Sequence, residues 1–96
     1  MSIWIYNRDV PETKQDHPDA YNSAIAEVLL ERKTELGMTF PDLALISGIS
    51  RQQVMRLING HRAIHMGNYI ALTTALDIDP GLVIQAAASK VEKTSE

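Results

Sequence analysis

Ninety-six residues form one domain, with room for a single core and too little for two. The chain has no cysteine, which excludes a disulfide framework and a thiolate metal site, and its apolar runs fall far short of a membrane span. A net charge of −3 argues against a polyanion partner until its distribution is read: no acidic residue occurs from Leu43 to Leu76, where Arg51, Arg56 and Arg62 are positive and His61 and His65 can add to them.

The opening, MSIWIYNRD, lacks the basic start and long apolar stretch of a signal peptide, so an intracellular, cytoplasmic protein is expected. Residues 1–18 read as an extended N-terminal arm. Ile3, Trp4, Ile5 and Tyr6 suit a short strand or an apolar anchor, and Pro11, Pro18 and the acidic residues between them break regular structure. Because the arm is acidic on balance, packing on a partner subunit or on its own domain is favoured over contact with a polyanion.

A first helix is expected from Asp19, acting as N-cap after Pro18, to Leu36, with Gly37 as its stop. Tyr21, Ile25, Val28, Leu29, Arg32 and Leu36 share one stripe. For Arg32, a stem laid over apolar surface with its head turned to solvent is preferred to a phosphate contact, and Lys33 reads as an ordinary solvated residue.

The stretch from Met38 to Gly60 reads as two short helices around a glycine turn. Thr39 can cap the first through its hydroxyl, Pro41 and Asp42 suit its first turn, and Leu43 and Ala44 face inward. Gly48 tolerates the positive φ of a tight turn, Ile49 returns an apolar side chain to the core, and Ser50 caps a second helix beginning at Arg51. At about 100° per residue, Val54, Leu57 and Ile58 form one face of that helix. Gln52, Arg56 and Asn59 lie opposite, flanked by Gln53 and Met55. An outward face of amides and a guanidinium, in place of Glu and Lys, has the chemistry that reads base edges.

After Gly60, the loop holding His61 and Arg62 and the start of a helix near Met66 together suit a phosphate clamp. Histidines at positions 17, 61 and 65, in a chain with no thiol, make a weak metal site, so neither metal nor cofactor is expected. Met66, Tyr69, Leu72, Thr73 and Leu76 share a face taken as core. Asp79 and Pro80 restart the chain as N-cap and first helical residue. The following helix is apolar nearly all round, through Leu82, Val83, Ile84, Ala86, Ala87 and Ala88. That exceeds the single stripe a surface helix needs and predicts a subunit contact. Residues 90–96 read as a polar, fraying tail, which bounds the domain at 19–89.

The run from Glu31 to Pro80 resembles the Cro and lambda-type repressor family of helix-turn-helix proteins, with the likeness extending over roughly residues 20–88. The spacing of Leu43, Ala44, Gly48, Ile49, Val54 and Leu57, followed by Asn59-Gly60, carries it. The resemblance implies an all-α, five-helix bundle that binds a double-stranded DNA operator as a homodimer, with the second helix of the motif in the major groove. By position, Arg51, Gln52, Gln53 and Arg56 would face bases. Ser50, Asn59, His61, Arg62 and His65 would face phosphates, and Leu82, Val83, Ile84 and Ala87, helped by Ile3 to Tyr6, would form the dimer interface. Phe40 stands where the family usually carries a glutamine that clamps the DNA backbone. Ile58 stands where many members have an acid paired with the first helix, Ser47 replaces a common apolar core residue, and Leu45 and Ile46 leave apolar surface that can pack against the arm.

The leading expectation is a sequence-specific DNA-binding repressor of phage or mobile-element type. The alternative is an antitoxin-like interaction module that neutralises a partner protein and regulates itself through DNA. An enzyme is not expected: no nucleophile with a matched base, no phosphate-binding glycine loop and no paired carboxylates are found, so no catalytic residue is assigned.

Overall fold

The computed structural model describes residues 18–95, and the expectations for the N-terminal arm fall outside that range. Among the described residues the chain is five α-helices and no strand: α1 (Pro18–Leu36), α2 (Phe40–Ser47), α3 (Arg51–Ile58), α4 (Met66–Ala75) and α5 (Pro80–Ser95). α1 and α5 form the most extensive pair. α2 packs on both α3 and α4, α1 also touches α3, and α4 touches α5. Every helix sends at least one fully buried side chain to the common centre: Leu29, Leu43, Val54 with Leu57, Leu72, and Val83. None of the helices is long and apolar enough to cross a membrane by itself.

Helix α1 begins at Pro18, so Asp19 lies in its first turn and is not the cap. Its buried face is Ala24, Ala26, Val28 and Leu29, with Ile25 partly buried. Tyr21 and Leu36, at the two ends of the expected stripe, are exposed because the bundle does not reach that far along the helix. The helix closes as expected at Gly37, φ 66°, where the Gly37 N–H donates to Thr34 O at 3.0 Å and the Met38 N–H to Lys33 O at 3.1 Å. These are the two bonds of a Schellman closure.

Two residues of α1 do more than the sequence pattern assigned to them. Arg32 does not turn its head to solvent. Its Nε donates to Leu76 O and its Nη2 to Asp77 O, each at 3.0 Å, so it satisfies carbonyls at the end of α4 that the helix leaves without partners. Lys33 places its ammonium 4.2 Å from the centroid of the Phe40 ring, a cation–π contact joining α1 to α2.

In α4, Tyr69, Leu72, Thr73 and Leu76 are buried as the pattern predicts, while Met66 is exposed because it sits on the first turn, beyond the covering helices. The buried Thr73 hydroxyl is satisfied by Tyr69 O at 3.0 Å. The Tyr69 hydroxyl donates to Pro80 O across the turn into α5, and burial, followed by the nearby Asp79 carboxylate, raises its pKa. Asp79 acts as expected at the start of α5: its Oδ1 accepts from the Gly81 N–H at 2.7 Å.

Two expectations for α5 are corrected. Residues 90–95 continue the helix; they do not form a fraying tail. Lys90 is held by α1, with its ammonium 3.3 Å from Glu27 and 3.0 Å from Glu31. Those carboxylates, one helical turn apart, repel each other and raise the Lys90 pKa through their hydrogen bonds to it, Glu31 before Glu27. Val83 and Ala87 are the second correction: both lie in the core of their own chain, so of the four residues assigned to a subunit contact only Leu82 and Ile84 are exposed.

Candidate nucleic-acid interface

The surface of interest is the outer face of α3, and its position is fixed by capping at four points. Thr39 and Asp42 form a reciprocal capping box at α2: the Asp42 N–H donates to Thr39 Oγ1 at 3.2 Å and the Thr39 N–H to Asp42 Oδ2 at 3.1 Å. Those bonds, the backbone one first, lower the Asp42 pKa. The turn into α3 runs through Gly48, φ 78°, whose N–H donates to Ala44 O at 2.9 Å. Ser47 is part of this turn: its Oγ accepts from the Ile49 N–H at 3.2 Å. Ser50 then caps α3, its Oγ accepting from the Gln53 N–H at 3.2 Å. At the far end the Gly60 N–H donates to Leu57 O at 3.1 Å and the His61 N–H to Arg56 O at 2.9 Å, a second Schellman closure.

Between these closures α3 divides cleanly. Val54, Leu57 and Ile58 are buried, whereas Arg51, Gln52, Arg56 and Asn59 are exposed and Gln53 is half-buried. Ser50, Gln52, Gln53, Arg56 and Arg62 line one shallow depression. The fold thus brings a residue from beyond α3, Arg62, onto the same patch as three of the four side chains assigned to base reading. Arg51 stands at the start of the helix outside that depression, and Asn59 and His61 stand at its other end. Among the described residues, none of the side chains of Arg51, Gln52, Gln53, Arg56 and Arg62 has a hydrogen-bond or ion-pair partner, which leaves their polar groups to an external partner.

His65 differs from the expectation. Its Nδ1 accepts from the Asn68 N–H at 3.4 Å as the N-cap of α4, so one ring nitrogen is occupied by the chain itself and only the other is available to a phosphate. The electrostatic segregation read from the sequence is also incomplete in space, because Asp19 joins His61 and Arg62 around a second shallow depression between α1 and the loop after α3. Asn22, in the same place, went unnoticed in the sequence. Its side chain bonds both the Arg62 carbonyl and the Ile64 N–H. The available signal was an asparagine, a weak helix former, inside an otherwise strong helical run.

The family profile described as Helix-turn-helix matches residues 28–83, from the middle of α1 to the first turn of α5. The chain belongs to the Cro and lambda-type helix-turn-helix family. It is similar to the restriction-modification controller protein C.AhdI from Aeromonas hydrophila, with 33% identity, 62% of this chain and 91% of that one covered, and a TM-score of 0.60. The clp gene regulator ClgR from C. glutamicum matches at 21% identity over 73% of this chain and 91% of its own, with a TM-score of 0.68, a likeness of fold alone. No curated protein matches. As a helix-turn-helix protein this chain is a DNA-binding transcriptional regulator, in which α2 and α3 are the motif and α3 is its second helix.

Proposed function

We propose that this helix-turn-helix regulator is a sequence-specific repressor of phage or mobile-element type that binds operators as a dimer, with α3 in the major groove. The observation that carries the reading is the outer face of α3, where Gln52, Gln53 and Arg56 meet Arg62 and, among the described residues, their side chains have no partner and no carboxylate lines the depression they share. Arg51, Gln52, Gln53 and Arg56 contact base edges, with Arg suited to guanine and Gln to adenine. Ser50, Asn59, His61, Arg62 and the free nitrogen of His65 contact phosphates. The likeness to a restriction-modification controller supports a regulatory role. Its place of action is the bacterial cytoplasm, at the nucleoid. Leu82 and Ile84, 55% and 49% exposed on α5, are the dimer contact, which spaces two copies of α3 about 34 Å apart along one face of the duplex.

The test compares specific and nonspecific affinity for Gln52→Ala, Arg56→Ala and Arg62→Ala at two salt concentrations. The first two should each lose about 1 to 3 kcal/mol of discrimination and keep their affinity for mixed-sequence DNA. Arg62→Ala should weaken binding to every sequence alike and reduce the salt slope by about one. Wild-type discrimination in folded Gln52→Ala and Arg56→Ala would remove α3 as the reading helix.

A second reading has its own observation. Leu45 is 83% exposed and Ile46 59% on the outside of α2, apolar surface that DNA does not need. It favours an antitoxin-like module that binds a partner protein and regulates itself through α3, and a stoichiometric partner recovered with the protein and lost in Leu45→Lys would select it.

A further inference from the structure

Arg62 serves a DNA-binding face only if its backbone is held beside α3, and the chain on either side of it supplies little to hold it. The closure of α3 ends with the His61 N–H, and α4 is not under way until the His65 cap. Between those points the Arg62 carbonyl and the Ile64 N–H have one hydrogen-bonding partner among the described residues, the carboxamide of Asn22 near the start of α1. Its Oδ1 accepts from the Ile64 N–H at 3.0 Å and its Nδ2 donates to the Arg62 carbonyl at 3.5 Å. A primary amide can do both because it carries an acceptor and donors in one plane.

We propose that Asn22 is a positioning residue for DNA binding, which by bracketing residues 62–64 sets Arg62 beside Arg56 and Gln52. The inference rests on the reading of α3 as the DNA-contacting helix. Asn22 precedes residues 28–83, the stretch matched to the family, and is not a member of the hydrophobic core. Ile64 packs against that core, so the loop does not unfold without Asn22. What changes is the freedom of Arg62. Asp19 lies around the same depression as Asn22 and Arg62. Without the bracket the guanidinium can turn toward that carboxylate and away from α3, a choice that lowers its availability to a phosphate.

Asn22→Ala, Arg62→Ala and the double variant test this, and alanine is a better helix former than asparagine, so folding is not at risk. In the free protein, Asn22→Ala should speed amide exchange at Ile64 about 3- to 10-fold, the range of one hydrogen bond, with the middle of α4 unchanged. On a mixed-sequence duplex at low salt, Asn22→Ala should weaken binding by a similar factor of about 3 to 10 in the wild-type background. In the Arg62→Ala background it should weaken binding less than about 2-fold, since the two act through one contact. Unchanged exchange at Ile64 overturns the bracket. Equal weakening in both backgrounds, or none in the wild type, overturns the positioning role while DNA binding stands. A wild type that leaves the duplex free removes the DNA reading, and this inference with it.

Discussion

After α3 the chain reverses at Gly60, φ 77°, and after α4 it reverses at Asp77, φ 54°. The hydrogen bonds correspond: Gly60 to Leu57 and His61 to Arg56 at the first turn, Asp77 to Thr74 and Ile78 to Thr73 at the second. A left-handed backbone costs an ordinary residue about 1 to 2 kcal/mol relative to its preferred region, and glycine avoids that cost while aspartate only reduces it. The second turn has what the first lacks, a guanidinium from α1 on the carbonyls of Leu76 and Asp77. The turn behind the bundle is thus closed by a side chain from elsewhere. Among the described residues, the turn at the proposed DNA face is closed by backbone alone, and the α1 side chain beside it, Asn22, bonds residues 62 and 64 beyond the closure.

The comparison can be broken most strongly at Arg32. Arg32→Ala leaves the end of α4 without its charged donor and should cost about 2 kcal/mol, read as a lower urea midpoint with an unchanged slope. Arg32→Lys should recover little, because an ammonium does not present the fork that reaches two carbonyls.

Gly60→Ala is the next largest. Nothing lies within 4 Å of the added Cβ, so crowding is absent and the backbone strain is measured by itself. A loss of about 1 to 2 kcal/mol is expected, and Gly60→Asn should lose less because asparagine tolerates the left-handed region. Equal losses for the two variants would place the cost somewhere other than φ.

The smallest effect sharpens the contrast by making the second turn like the first. Asp77→Gly removes both residual strain and a carboxylate at the negative end of a helix, and should stabilise by about 0.5 to 1 kcal/mol in the same urea experiment. A loss of stability would mean that the Asp77 side chain contributes to the closure.

Much of the fold was legible because its signals are local. Thr39, Ser50 and Asp79 cap what they were expected to cap, Gly37, Gly48 and Gly60 take positive φ, and the inner and outer faces of α3 follow from helical period. What escaped acts at long range. Arg32 finds its partners 44 and 45 residues away and Asn22 finds its own at 40 and 42, distances at which sequence spacing carries no information. Val83 and Ala87 were assigned outward because α5 is apolar all round, and only the packing of α1 and α4 decides which apolar side is inside. Lys90 was placed in a tail for its polarity, although Glu27 and Glu31, one turn apart in α1, leave a paired negative charge for which a distant cation is the natural partner. Within the candidate site, sequence assigned Arg62 to a loop clamp and the α3 side chains to base edges; it could not show that Gln52, Gln53 and Arg56 share one depression with Arg62, or that His65 spends a nitrogen on its own helix.

The outward side chains of α3 have a bearing on descent. Among the described residues, Arg51, Gln52 and Arg56 are exposed and their side chains bond to nothing, since the caps belong to Ser50 and Gly60 and the packing to Val54, Leu57 and Ile58. Letters on that face can therefore be exchanged one at a time without passing through an unfolded ancestor. With α3 as the proposed reading helix, a lineage built on this scaffold is free to drift from one target sequence to another, and to part company with a sister copy in the same cell, while its interior stays the same.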